Sequence, residues 1–315
     1  LDNLLWQPVS TYLDGVETVL ISPDSSLAKF PFATLPGKKS GTYLIEDFAI
    51  AVIPVPQSIP ELVDRKNKLQ AIPQSLLLMG DVDYQAVART SSKSKDSNLP
   101  RDAERGRFPF SFPPLAATGP EVHEIQTRFK QQFSQGSTLL LEKSTATEEA
   151  FRHDAPRHRW IHLSTHGFFS ESIVEDVYST VSSSDSPSLV KHHPLLTAPE
   201  GLMSGLAFAG VDDVNRSYED DGVLCAMEVA ASDLSNVELV VMSACQSGLG
   251  QTLSGEGVLG LQRAFQVAGA GSTISSLWPV SDQASRLLMN RFYRNLWAQK
   301  MTKLAALREA QLWML

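Results

Sequence analysis

VELVVMSACQSGLG, residues 237–250, is the stretch whose reading decides the fold. An almost unbroken apolar run enters Ser243, Ala244 and Cys245, then stops in a polar, glycine-bearing turn. A strand with no polar face is buried on both sides, which is the habit of parallel sheets covered by helices. Open parallel sheets present functional groups at the carboxyl ends of their strands. Cys245 falls just past such an end, and it is one of only two cysteines in the chain.

Reading outward, RWIHLSTHG (159–167) predicts a second strand that breaks at Gly167, with His166 just beyond its tip. SLLLMGDVDY (75–84), STLLLEK (137–143) and STISSLWPVSD (272–282) predict further strands, and VETVLISPD (16–24) one near the start. YLIEDFAIAVIPVP (43–56) reads as extended, because Pro54 and Pro56 disfavour a helix. Between the strands lie helical patterns: 118–133 with a Thr cap and an early proline, a start at Thr145 to Phe151, a turn and short helix over 221–231, and 255–271 closed by glycines. Two amphipathic helices are expected at about 283–299 and 302–315. Residues 85–114 read as a polar, mobile surface loop. Residues 170–200, rich in Ser and Pro, read as a long insertion near the site that orders on activation or substrate binding. Strands alternating with helices predict an α/β fold with a mostly parallel sheet flanked by helices.

The 315 residues suffice for a sizeable core, with 43% hydrophobic and 20% charged residues. The net charge of −8 disfavours a nucleic-acid surface and suits a basic peptide or protein partner. No run approaches the roughly 18 apolar residues of a membrane span. Two cysteines make no disulfide framework, which points to a reducing compartment, the cytoplasm. A start at Leu1 and an end at Leu315 inside a helical pattern suggest a segment of a longer protein.

A free thiol of pKa about 8.5 is only a few per cent thiolate at neutral pH. A neighbouring imidazole activates it, and general acid–base help is worth roughly 10²–10⁴ in rate. The pair His166 and Cys245 therefore suits acyl transfer. The backbone N–H groups of Gly167 and Cys245 are the matching candidates for an oxyanion hole. The bland reading is a small buried hydrophobe for Cys245 and a structural histidine for His166. His162 and His166, four apart, would suit a metal on a helix but not on a strand that turns between them, so no metal is expected. Cys225, in VLCAMEVAA, reads as packing.

HLSTHGFF (162–169), DGVLCAMEVAASDL (221–234), VELVVMSACQSGLG, GEGVLGLQRAFQVAGAGSTISSLWPVSD (255–282) and the last two helices resemble a CHAT domain. This is a caspase-like module often joined to tetratricopeptide repeats and related to separase. Weaker likeness extends to LLWQPVSTYL (4–13) and SLAKFPFATLP (26–36). The resemblance implies a caspase-like fold with a smaller N-terminal α/β portion, residues 1–72, and a catalytic core, 73–315. It implies His166 as general base and Cys245 as nucleophile, no cofactor, a protein or peptide substrate, and an upstream repeat region. Gln246 stands where many members have Glu. The caspase pattern Q-A-C-[RQG]-G is absent, so specificity for Asp does not carry over. Members usually continue past the last helix into another strand. By likeness to separase, Asp282 would receive a basic side chain before the cut, with Trp278 beside it; helix capping is the competing role for Asp282.

The expected function is a cysteine endopeptidase cutting specific protein targets after a basic residue. The alternative is a catalytically silent interaction module of the same fold. An esterase lacks its G-x-S-x-G elbow, and a nucleotide-binding reading lacks both a G-x-G-x-x-G after a strand and a G-x-x-x-x-G-K-[ST] loop.

Overall fold

A computed structural model describes residues 2–23, 27, 30–54, 56–60, 62–63, 72–87, 112–168, 204–213, 220–243, 255–278 and 280–315. The insertion read at 170–200 and most of the loop read at 85–114 lie outside the described residues.

The chain opens with α1 (Asp2–Leu5), α2 (Gln7–Ser10), β1 (Thr18–Ile21), α3 (Leu44–Asp47) and β2 (Ala49–Val52). β1 and β2 pair in parallel, Val19 against Ile50. Trp6, Leu35, Leu44 and Phe48 close a small core beneath them. The 43–56 stretch is thus not extended throughout. The Glu46 carboxylate accepts the Tyr43 N–H at 2.7 Å and closes the turn of α3, while Pro54 follows β2 and has no hold on that turn.

Next come β3 (Ser75–Val82), α4 (Thr118–Gln132), β4 (Ser137–Lys143), α5 (Glu148–Asp154) and β5 (Trp160–Leu163). Short strands β6 (Gly167–Phe168), β7 (Gly205–Ala207) and β8 (Val223–Cys225) follow, then α6 (Ala226–Ala231) and β9 (Leu239–Met242). The chain ends with α7 (Gly255–Val267), β10 (Thr273–Ser275), α8 (Asp282–Tyr293) and α9 (Lys303–Met314). The main sheet runs β10-β9-β5-β3-β4, every neighbouring pair parallel.

Strand alternation divides the core. Trp160, Leu239 and Val241 face α4, α8 and α9, where Val122, Phe129, Phe292 and Ala306 are buried. Ile161, Leu163, Val240 and Met242 face α5, α6 and α7, where Phe151, Val229 and Phe265 are buried. This is the parallel α/β sheet expected of 237–242. The helix expected over 283–299 instead leaves α-geometry after Tyr293 for a π-helical turn, Arg294–Ala298. Buried Asn295 in that turn donates to the Ala306 carbonyl at 3.1 Å and fixes α9 against α8. Arg308 of α9 donates to the carbonyls of Ile45 and Glu46, at 2.7 and 2.6 Å, and so ties the N-terminal portion to the core.

Chain order within the sheet locates its functional end. From β3 the chain moves outward to β4, then crosses back to β5 on the other side of β3 and proceeds to β9 and β10. Progression reverses between β3 and β5. At such a switch point the strand-end loops diverge and leave a crevice. Antiparallel β6-β7-β8 continues from the tip of β5.

Beneath β8 lies a cluster of acids. Glu148, whose side chain is 1% exposed, and Glu228 of α6 share the guanidinium of Arg152, at 3.0 and 3.3 Å. Burial, then the charge of Glu228, pushes the Glu148 carboxyl up to about 9; burial pushes Asp221 up to about 6. At neutral pH folded Glu148 therefore keeps a proton that the unfolded chain releases near 4.5. A raised carboxyl contributes stability that is full below the unfolded value and is lost as pH rises toward the folded one. Glu148→Gln, which keeps the shape of the protonated acid, is expected to leave the free energy of urea unfolding nearly unchanged at pH 4.5 and to exceed wild type in it at pH 9 by about 1–3 kcal/mol. Parallel pH profiles for the two proteins would contradict this assignment.

Candidate functional site

His166 stands at the switch point and is only 3% exposed. Its Nε2 lies 2.7 Å from the carbonyl oxygen of Pro113. A carbonyl only accepts, so Nε2 carries the proton and the basic lone pair belongs to Nδ1. The ring is flanked by Tyr84, with centroids 5.0 Å apart, and by Phe112, at 5.4 Å. The Tyr84 hydroxyl reaches Thr165 Oγ1 at 3.0 Å. Burial holds that hydroxyl far above its ordinary pKa, so it remains a neutral phenol. Tyr84 thus fills one flank of the imidazole without placing a charge beside it.

Local geometry explains how the chain brings these groups together. β3 bulges between Gly80 and Val82, and Asp81 takes a left-handed φ of 48° there. Bulges near strand ends redirect the chain, here toward Tyr84. A side chain at Gly80 would meet Val122 Cγ1 at 2.8 Å and the Thr118 carbonyl at 3.2 Å, so glycine lets the first turn of α4 lie against β3. Thr118 does not cap α4. Its hydroxyl donates to the Leu115 carbonyl at 2.8 Å and accepts the Asp81 N–H at 3.0 Å, pinning the turn to the strand.

Cys245 lies outside the described residues, as does Ala244. The strand leading to it is described. Trp160 pairs with Leu239 and Leu163 with Met242, an offset of 79 positions (239 − 160). His166 and Cys245 are separated by the same 79 (245 − 166). Each follows its last paired residue by three positions. Ser243, the last described residue before the cysteine, is buried.

Gly167 opens β6 opposite Leu206. The Ala207 N–H donates to the His166 carbonyl at 2.9 Å, which makes His166 and Ala207 the hydrogen-bonded pair. Antiparallel ladders alternate, so the Gly167 N–H points away from β7.

Asp282 is the first residue of α8, but it is not the cap. Ser281 takes that place, its hydroxyl accepting the Ala284 N–H at 3.3 Å. Asp282 Oδ2 instead accepts the Ala117 N–H at 3.2 Å, from the segment that carries Pro113. Trp278, between β10 and α8, is 48% exposed. Cys225 forms no disulfide, and burial pushes its thiol up to about 11, which makes it a poor nucleophile.

Sequence reading missed Tyr84, Phe112 and Pro113. The loop read as 85–114 ends early: Phe112 is buried and Pro113 is His166's acceptor. The available signal was FPP at 112–114, an apolar and proline-rich interruption of a polar loop. Among the described residues no cluster of His, Cys, Asp and Glu has metal-holding geometry, and no helix is long and apolar enough to cross a membrane. His162 is part of no metal pair with His166; its ring bonds Glu121 and Tyr293 inside the core.

Tetratricopeptide repeat protein 28 of Homo sapiens is 27% identical over 282 residues, covering 87% of this chain and 10% of that protein. The Mus musculus protein of that name is 26% identical over 272 residues, 84% of this chain and 10% of its own length. The chain therefore spans about a tenth of these relatives. The CHAT domain family matches residues 1–315. With its helix-flanked parallel sheet, the chain belongs to the CHAT domain family, a caspase-like family.

Proposed function

We propose that this domain is a cysteine endopeptidase in which His166 activates Cys245. The observation that carries the reading is the shared offset of 79 between the β5–β9 register and the two residues. Parallel strands in fixed register bring equal numbers of residues to the same level, so the two tips start side by side. The buried imidazole, with its proton held on Nε2 by Pro113, presents Nδ1 as the base. Nδ1 takes the Cys245 proton, and sulfur attacks the scissile carbonyl carbon. The oxyanion forms against the N–H groups of Gly167 and Cys245. Collapse expels the amine, protonated by the His166 imidazolium, and leaves a thioester that water hydrolyses.

The substrate is a protein segment with Arg or Lys before the cut, received by Asp282 beside Trp278. Support comes from Ser281 occupying the cap, so that the Asp282 carboxylate, which accepts the Ala117 N–H on Oδ2 and the Gln283 N–H on Oδ1, is not the cap of α8. An Arg side chain would add charge-assisted, bidentate bonds to that carboxylate. The relatives' name suggests an upstream repeat region as the regulatory partner. The second reading is a silent interaction module of the same fold joined to such repeats.

Turnover of fluorogenic Arg, Lys, Met and Asp peptides separates the two. Cys245→Ala and His166→Ala are each expected to abolish cleavage with unchanged circular dichroism, and Cys225→Ser to retain it. Iodoacetamide should label Cys245 ahead of Cys225. Turnover surviving in Cys245→Ala would remove the dyad, and a wild-type protein inert toward the panel and toward alkylation would favour the silent module.

Asp282→Ala is expected to lose Arg and Lys cleavage selectively. Ser281→Ala is expected to lower stability by about 0.5–2 kcal/mol and leave the order of preference intact. An unchanged preference in Asp282→Ala would take the specificity role away from it.

A further inference from the structure

A second polar site is sealed inside the apolar layer between the sheet and α4. His162 is 0% exposed and Glu121 2%. Around them lie Leu78, Val122, Ile125 and Phe292, all buried. His162 Nε2 lies 2.7 Å from Glu121 Oε1, and Ser164 Oγ donates to the same oxygen at 3.2 Å. His162 Nδ1 lies 3.1 Å from the Tyr293 hydroxyl. The donors and acceptors fall into one consistent chain. Tyr293, kept a neutral phenol by burial, donates to Nδ1, and Nε2–H donates to the carboxylate. Glu121 sits in the first turn of α4, where the helix dipole favours its charge.

Buried polar groups of this kind cost desolvation, and apolar side chains of similar volume often stabilise as well or better. What they supply is a single docking geometry, because a slip of α4 by any amount leaves several of the four groups unpaired. The first turn of α4 is the turn that matters. It continues upstream into Ala117, which donates to Asp282, and into Pro113, which accepts from His166. The Glu121 N–H donates to the Ala117 carbonyl at 3.0 Å, and Thr118 Oγ donates to the Leu115 carbonyl, so the segment moves as a unit.

We propose that Glu121 is a positioning residue: its buried bonds to His162 and Ser164 lock the first turn of α4 onto β5, and thereby hold the Pro113 carbonyl that sets the tautomer and basicity of His166. The chemical consequence is specific. A carbonyl at 2.7 Å stabilises the imidazolium more than the neutral ring, and it holds the neutral proton on Nε2. Loosening the turn lowers the basicity of His166 and mixes its tautomers. The inference rests on the peptidase reading for its functional meaning but not for its test.

The test is NMR of protein labelled with ¹⁵N-histidine, the His166 signals identified by their loss in His166→Ala. Glu121→Gln is expected to lower the His166 pKa by about half a unit or more and to populate the Nδ1–H form. Ile125→Val, one turn on in the same apolar layer, is expected to lower the melting temperature and leave both readings unchanged. In turnover, Glu121→Gln should lower kcat about tenfold with KM nearly constant, and move the acid limb of kcat/KM to lower pH. Tyr293→Phe, which deletes one hydroxyl and keeps the ring, is expected to act in the same direction and decides the matter if Glu121→Gln does not fold. A His166 pKa and tautomer unchanged in the folded variant would overturn the proposal. A wild-type protein without turnover would sink the peptidase reading alone, since the imidazole still reports on its own positioning.

Discussion

Parallel pairing of β5 with β9 is the constraint on which the site depends. In a parallel pair all chain directions agree, so two strands that begin in register also end in register. Leu163 and Met242, far apart in sequence, reach a common level only through this pairing. The apolar side chains of both strands enforce it. Ile161, Leu163, Val240 and Met242 fill one layer while Trp160, Leu239 and Val241 fill the other, and a slip by one residue would exchange the two sets. The level shared by the two strand ends thus comes from burial on both faces of the sheet.

The segment 112–121 is the second support. Its hydrogen bonds to His166 and Asp282 are made by backbone groups: the Pro113 carbonyl to His166 and the Ala117 N–H to Asp282. A backbone acceptor carries no charge and does not titrate, so it orients an imidazole over a wide pH range. A carboxylate in that place would favour the imidazolium more strongly. Such an arrangement demands that the backbone itself be held firmly. The close approach at Gly80, the Thr118 hydroxyl and the buried Glu121 all meet this demand within one helical turn.

What sequence could reveal follows from the kind of interaction involved. The strand of 237–242 was legible because burial on both faces writes an almost unbroken apolar run. The longer helices that flank the main sheet were legible from their periodicity, and the short ones at Asp2–Leu5, Gln7–Ser10 and Leu44–Asp47 were not. Pro113 was not, because a backbone carbonyl leaves no residue-type signature. The capping turn at Tyr43 and Glu46 was overlooked because the prolines that suggested extension act only on residues next to them. Ser281 and Asp282 are both good cap residues, and only the register of α8 decides which hydroxyl or carboxylate meets the Ala284 N–H. Asn295 within the π-helical turn was likewise hidden, since a helical pattern tolerates one wide turn without losing its apolar face.

His162 and His166 show how one residue type acquires opposite fates within five positions of chain. His162 is inside β5 and shares the face of Trp160, so alternation turns it into the layer under α4, where its two nitrogens must both find partners. They do, in Tyr293 and Glu121, and the ring becomes part of the core. The strand then ends at Leu163, and the chain turns through Ser164 and Thr165 before β6 begins. That turn carries His166 off the sheet's face and over its end, against Tyr84 and Phe112. There its Nε2 is given to the Pro113 carbonyl, a fixed backbone acceptor. Both histidines nonetheless report to the same ten residues, one through Glu121 and one through Pro113. A change that shifts α4 on the sheet must therefore be felt at both, the buried ring through its carboxylate and the crevice ring through its carbonyl.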